Sequence, residues 1–390
     1  MSPAFTARLA ERTKGVTSSA IREILKVATR PDVTSFAGGL PAPELFPLDA
    51  IREAADRVLS GHGAAALQYG ATDGVLALRQ HIAEAVSDSE AGAAAAAGLG
   101  APERLTPDQV MITTGSQQAL DLISKLLIDP GDVVGTENPS YLGGLQAFRL
   151  HQARLIAVAM DHEGARPDSL ASTVGPEAKF IYLLPTFQNP TGKSMSNARR
   201  LAVAATLAEV GVPVVEDDPY GALYFDAPPG PSLRSLVPDL ALGLGTFSKT
   251  LAPGLRLGWI VGPREVIAKL TQLKQSGDLH SSTLCQYVAL DVLRSGAMSA
   301  HLERLRAVTA RGQTRCLQHS TSTSRPKCVS LVRRAACSCG SSCRAALRRL
   351  RSCPWRSRRR RSHSCPARRS IPTAAAATPC GSTSPTPRPT

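Results

Sequence analysis

Short apolar runs recur at 110–114, 132–136, 154–159, 179–184, 212–216, 240–246 and 257–262, separated by stretches with apolar residues at helical spacing. Runs rich in Val, Ile and Leu, bounded by turn residues, predict strands buried on both faces, and their alternation with helices predicts a layered α/β sheet. A chain of 390 residues is long for a single core, so a large domain with a smaller companion is expected. The alanine-glycine stretch at Ala93 to Ala97 reads as a surface insertion. There is no apolar run of about eighteen residues and no signal-peptide core, which predicts a cytoplasmic protein with no membrane partner.

The polar residues that interrupt this pattern cluster where the apolar runs end, the edge at which open α/β sheets bind ligands. In Thr246-Phe247-Ser248-Lys249-Thr250-Leu251-Ala252-Pro253-Gly254-Leu255-Arg256, hydroxyls and a guanidinium surround one amine. That grouping suits a lysine that holds pyridoxal phosphate: the amine can form a Schiff base with an aldehyde, while Thr246, Ser248 and Arg256 neutralise a phosphate. Thr113-Thr114-Gly115-Ser116-Gln117 delivers a strand into a helix N-terminus, where the N–H groups of Gly115, Ser116 and Gln117 can receive an anion. Asn189, in Phe187-Gln188-Asn189-Pro190-Thr191-Gly192, can donate to a phenolate oxygen of the cofactor. Val214-Val215-Glu216-Asp217-Asp218-Pro219-Tyr220 ends a strand in carboxylates; Asp217 can pair with a pyridine nitrogen, and Tyr220 can reach the same phenolate as Asn189. Each segment alone has a plainer reading: an N-cap, an Asn-Pro turn, a solvated acidic loop or a surface lysine.

Together, in this order, the segments resemble the fold-type I pyridoxal-phosphate-dependent aminotransferases, and their spacing resembles the branch that includes 2-aminoadipate and kynurenine aminotransferases. The motifs are Gly115-Ser116-Gln117, Asn138-Pro139-x-Tyr141, Asn189-Pro190-Thr191-Gly192, Asp217-x-x-Tyr220 and Ser248-Lys249 through Arg256, within residues 15–312. The resemblance implies a three-layer αβα large domain with a mixed, mostly parallel sheet, and a small α+β domain. It divides the chain into an N-terminal arm and substrate-gating segment at 1–45, the cofactor domain at 46–290, the start of the small domain at 291–312 and an aberrant basic tail, expected to be disordered, at 313–390. It implies that Tyr141 stacks on the cofactor ring and that Tyr69 reaches the phosphate of the neighbouring subunit in a homodimer. It also implies that Arg22 meets the far end of the substrate and that Gly38 and Gly39 let backbone approach it.

The implied activity moves an amino group between an L-amino acid, of 2-aminoadipate, aromatic or branched-chain type, and a 2-oxo acid by a ping-pong route. Lys249, Asp217 and Tyr220 carry the catalysis, with Lys249 as general base and Asp217 holding the ring protonated. Asn189 touches both cofactor and substrate. A catalytically defective cofactor-binding protein, an interaction protein that uses the basic tail, and a regulator with an aminotransferase-like domain are the alternatives.

Charge changes the picture at one end of the chain. The sequence carries 45 basic and 31 acidic residues, yet every acidic residue precedes residue 313, and 17 of the basic ones follow residue 312. The first 312 residues therefore hold 28 basic against 31 acidic residues, a net of −3, and the tail carries +17. Eight of the 9 cysteines also lie in the tail. Arg356-Ser357-Arg358-Arg359-Arg360-Arg361 suggests nucleic acid, and scattered cysteines suggest metal. Cys337-Ser338-Cys339 and Cys343 lack zinc spacing, however, and apolar periodicity fades after about residue 312, so neither partner is expected.

A tail rich in Arg, Ser, Pro and Cys instead resembles GC-rich coding sequence read out of frame. Back-translated and begun one base earlier, Arg333 to Cys343 permits Pro-Gly-Gly-Met-Phe-Leu-Trp-Val-Ile-Leu. In the same frame, Thr373 to Pro385 permits Asp-Gly-Gly-Gly-Arg-Asn-Thr-Leu-Arg-Leu-Asn-Phe-Thr. The first resembles the family's small-domain strand and the second its α-carboxylate arginine, which falls across Cys380 and Gly381. The expectation is a chain that keeps its cofactor ligands, lacks that arginine and has an incomplete small domain.

Overall fold

The computed structural model describes residues 3–13, 40–175 and 177–323. Its strands are β1 (Val110–Thr113), β2 (Val133–Glu137), β3 (Arg154–Val158), β4 (Met160–Asp161), β5 (Gly164–Ala165), β6 (Ala178–Leu183), β7 (Val214–Asp217), β8 (Ala241–Thr246) and β9 (Gly258–Val261). Seven form one sheet in the order β1-β9-β8-β7-β6-β2-β3, and β4 pairs with β5 as a separate hairpin. The pairs β8–β7, β7–β6, β6–β2 and β2–β3 are parallel; β9 runs against both β8 and β1. All seven apolar runs are therefore strands of the sheet, whose mixed, mostly parallel character is the expected one.

The longer helices are α1 (Leu48–Leu67), α2 (Leu76–Ala96), α3 (Ser116–Leu127), α4 (Leu142–Leu150), α5 (Asn197–Val210), α6 (Arg264–Gln275), α7 (Thr283–Arg294) and α8 (Ala297–Thr323). Alternate strand residues serve opposite layers. Met111, Phe180, Tyr182, Val215, Leu244 and Ile260 pack with Leu120, Ile123, Phe148 and Leu270 from α3, α4 and α6. On the other face, Ile181, Leu183, Val214 and Ala241 pack with Val203 and Leu207 of α5, and Val110, Ile112 and Val261 pack with Ala54, Leu78 and Val288. A strand covered on both sides has no room for polar alternation, which is why β1, β2 and β7 are buried at every position. Each fully buried Leu, Ile or Phe there contributes about 1.5–3 kcal/mol.

Two expectations need correction. Ala93 to Ala96 are the last turn of α2, with Ala94 only 4% exposed. Alanine is the best helix former, and its run extends the helix instead of looping out. Residues 313–323, assigned to the tail, continue α8; propagation adds one backbone bond per residue and does not need an apolar face. Residues 324–390 lie outside the described residues.

Candidate active site

Parallel strands β7 and β8, with β1, deliver their C-terminal ends to one edge of the sheet, and β9, running the other way, brings its N-terminal end there. Topology alone thus gathers Gly115 after β1, Asp217 at the end of β7, Lys249 after β8 and Arg256 before β9. The chain passes β9 very tightly: a Cβ on Gly258 would lie 3.0 Å from both the Gly115 carbonyl carbon and the Ser116 nitrogen.

Gly115 has φ 75° and caps α3. Only glycine takes this place without strain, for a Cβ there would also stand 2.5 Å from Arg256 Nη2. Arg256, itself at φ 52°, lays its guanidinium over this turn and donates to the Thr114 carbonyl at 3.3 Å. Thr246 fixes the start of the lysine segment, since its Oγ1 accepts from the Ser248 N–H at 3.1 Å and lies 3.0 Å from the Ser248 hydroxyl. The Lys249 ammonium stands 5.8 Å from the centre of the Tyr220 ring. Asn189 Nδ2 donates toward the Tyr220 hydroxyl at 3.5 Å. Gln117 is exposed and its amide donates to the Gly143 carbonyl at 3.0 Å. The Tyr141 ring lies over Gly143, and burial raises the Tyr141 phenol above its ordinary range; Asp217 adds to the rise and Arg256 opposes it.

Asp217 is the most constrained of these groups. It is 2% exposed; its Oδ2 accepts from the Tyr182 hydroxyl at 2.6 Å, while its Oδ1 has no hydrogen-bond partner among the described residues. Burial pushes its carboxyl up to about 6, against the pull of the Tyr182 bond. Leaving a buried carboxylate oxygen unpaired costs about 1–3 kcal/mol or more, and such a cost persists where a ligand supplies the missing donor. The Ser116 hydroxyl is likewise buried and unpartnered among the described residues. An acidic acceptor and an anion-receptive turn on one sheet edge fit a molecule with a protonated ring nitrogen at one end and a phosphate at the other.

Sequence reading missed two buried residues beneath this site. Tyr182, on β6, locks one oxygen of Asp217 and so aims the other; its position inside an apolar run gave no hint of a polar task. Glu137, 2% exposed at the end of β2, accepts at Oε2 from the Leu184 N–H (3.0 Å) and Gln188 Nε2 (3.3 Å). Tyr69 is 78% exposed and stands edge-on to His280 at 5.8 Å. Arg22, Gly38 and Gly39 lie outside the described residues.

Burial pushes Glu137 up to about 8 and Glu216 to about 7, as it does Asp217 to about 6. Each folded carboxyl holds its proton over a range in which the unfolded chain, with ordinary carboxylates, has released it. Burial lowers His81 and His301 below 6.5, so those two groups add stability as pH rises to that point; the net fall of the ligand-free protein is therefore expected from about pH 6.5 to about 8, levelling off above that. A thermal-unfolding series across that range checks it, and a midpoint that climbs toward pH 8 would refute the burial account.

The family model for aminotransferase class I and II matches residues 32–320. The chain is 41% identical over 323 residues to the 2-aminoadipate transaminase of Thermus thermophilus, covering 82% of this chain and 77% of that one. The crystal structure of alpha-aminoadipate aminotransferase from the same species, complexed with N-(5'-phosphopyridoxyl)-L-leucine, superposes with a TM-score of 0.72 at 39% identity, covering 83% and 78% of the two chains. Pyrococcus horikoshii kynurenine aminotransferase superposes with a TM-score of 0.75 at 33% identity, covering 83% and 79%.

Proposed function

The chain belongs to the class I and II aminotransferases, enzymes that move amino groups on pyridoxal 5'-phosphate, and from that premise we propose that the cluster at the sheet edge is its active site. The observation that carries the reading is the buried Asp217 Oδ1, without a partner among the described residues, on the edge that also holds Lys249, Gly115 and Arg256. The residues present fit the cofactor: the α3 N-terminus, Ser116, Ser248, Thr246 and Arg256 would take its phosphate, and Asp217 its ring nitrogen. Bound there, the cofactor supplies an aldehyde carbon that accepts the amine and a cationic ring that draws electrons from the substrate α-carbon. Asp217, aimed by Tyr182, would keep that ring protonated, and Asn189 and Tyr220, whose polar atoms stand 3.5 Å apart, would donate to its oxygen. Tyr141 would lie against the ring. Lys249 would hold the cofactor at rest, and its Nζ, once released, would carry the proton from the substrate α-carbon to the cofactor's C4′ carbon.

We assign the substrate to the 2-aminoadipate, aromatic or branched-chain type, and the resemblance makes Arg22, Gly38 and Gly39, which lie outside the described residues, the candidates to contact it. A guanidinium fork suits a second carboxylate. The test is a panel of amino donors assayed against 2-oxoglutarate: turnover of 2-aminoadipate or an aromatic donor supports the reading, and turnover confined to none of these classes overturns it. Tyr220→Phe is expected to lower kcat/KM by about tenfold to a hundredfold, the worth of one hydrogen bond to a charged oxygen. An unchanged value places Tyr220 outside the site. Tyr69 and Leu67, 78% and 70% exposed, are read as facing a second copy in a cytoplasmic homodimer that serves amino acid biosynthesis.

We further propose that the reading frame changes near residue 312. Support comes from the acid-free, arginine-rich composition beyond it, from two family-like segments in one alternate frame, and from a family match that ends at residue 320. The coding sequence from about codon 300 onward tests this directly: a single-base insertion or deletion there supports it, and a sound frame removes it.

A further inference from the structure

Against the N-terminal turn of α3 lies an amine with no solvent exposure. Lys274, near the end of α6, is 0% exposed and donates to Gln118 Oε1 at 2.9 Å and to Asp278 Oδ1 at 2.6 Å. A buried ammonium is tolerated only where partners compensate its lost hydration, and here both partners are tied to one turn. Gln118 Oε1 also accepts from the Thr114 N–H at 2.7 Å, and Gln118 Nε2 donates to Asp278 Oδ2 at 2.6 Å. The same Asp278 oxygen accepts from the Thr114 hydroxyl at 3.0 Å, and that hydroxyl stands 3.0 Å from the Ser281 hydroxyl.

Thr114, whose carbonyl takes the Arg256 guanidinium, is thus gripped at its N–H and its hydroxyl from behind. Gln118 sits in the first turn of α3, so its side chain reaching back to Thr114 closes the helix start and leaves the N–H groups of Gly115 to Gln117 in front of it. Although burial would raise the Asp278 carboxyl, the bonds from Lys274, Gln118 and Thr114 hold it below its ordinary range. Burial lowers the Lys274 amine, and Asp278 opposes that fall.

We propose that Lys274 and Asp278 are positioning residues for the anion-binding turn, acting through Gln118 and Thr114 to set its affinity for the cofactor's phosphate and not for its ring. The inference rests on the reading that this turn receives the phosphate. It concerns a network joining residues about 160 positions apart, none of which touches the cofactor's reacting atoms.

The experiment compares equilibrium affinities of the full chain for pyridoxal phosphate and for pyridoxal, which keeps the aldehyde and ring and lacks the phosphate. Thr114→Val and the charge-balanced Lys274→Met/Asp278→Asn double variant are each expected to bind pyridoxal phosphate about tenfold more weakly, the loss expected for one misplaced charge-assisted hydrogen bond. Their pyridoxal affinity should stay within about twofold, as no ring contact changes. Parallel weakening toward both ligands, or toward neither, reduces the network to fold support and overturns the proposal. Should the double variant fail to fold, Thr114→Val decides the matter alone, since it removes only the hydroxyl's contacts with Asp278 and Ser281 and leaves Lys274, Gln118 and Asp278 bonded to one another. A wild-type chain with no preference for the phosphorylated ligand defeats the phosphate reading itself; a preserved preference with unaffected variants defeats only this inference.

Discussion

Replacing Lys249 by alanine is expected to lower kcat by at least about 10²–10⁴-fold, the span attributed to a positioned general base. The true loss should lie at or beyond the upper end, since the same amine also anchors the cofactor. A second readout separates the two roles: the visible absorbance of lysine-bound cofactor should vanish, while affinity for pyridoxal phosphate falls less, because Asp217, Arg256 and the α3 turn remain. Lys269→Ala, on the exposed side of α6, is the control and should change neither quantity. A Lys249→Ala chain that keeps the visible band would place the reactive amine elsewhere.

Restoring the alternate frame beyond about codon 312 is expected to give the second-largest change, here a gain. The repaired chain would carry an arginine where Cys380 and Gly381 now stand, and with it a bidentate hold on the substrate α-carboxylate. Such a contact is worth about 2–4 kcal/mol in binding and orientation, so kcat/KM should rise roughly 30- to 1000-fold. Part of the gain would also come from covering apolar surface on the large domain. Equal activity from the two chains would show that the present tail already does this work, or that the reaction needs no such arginine.

How much of this was legible in the sequence depended on the range of the interactions concerned. All seven sheet strands were visible as apolar runs; for those buried on both faces that follows from an uninterrupted local signature, whereas β3, at the sheet edge, is buried only at Val158. Asp217 and Lys249 were visible for the opposite reason, as polar residues at the ends of those runs. The Ala93 to Ala96 helix turn was misread because alanine serves helices and loose insertions alike, and only burial of Ala94 distinguishes them. Tyr182 looked like one more apolar core residue until its hydroxyl was found on Asp217, 35 positions away. Lys274 carries no local signal, since its partner Gln118 lies in a distant segment that no local pattern connects to it. Glu137 gave no signal because a carboxylate at a strand end is normally solvated, and its burial follows from the 184–188 segment folding over it.

The most direct test of the site is covalent. The protein is loaded with pyridoxal phosphate, reduced with borohydride to fix any amine–cofactor link, digested and mapped by mass. A single phosphopyridoxyl group on Lys249 is the expected result. Label spread over exposed lysines, or placed on one other residue, would contradict the assignment of the sheet edge as the active site.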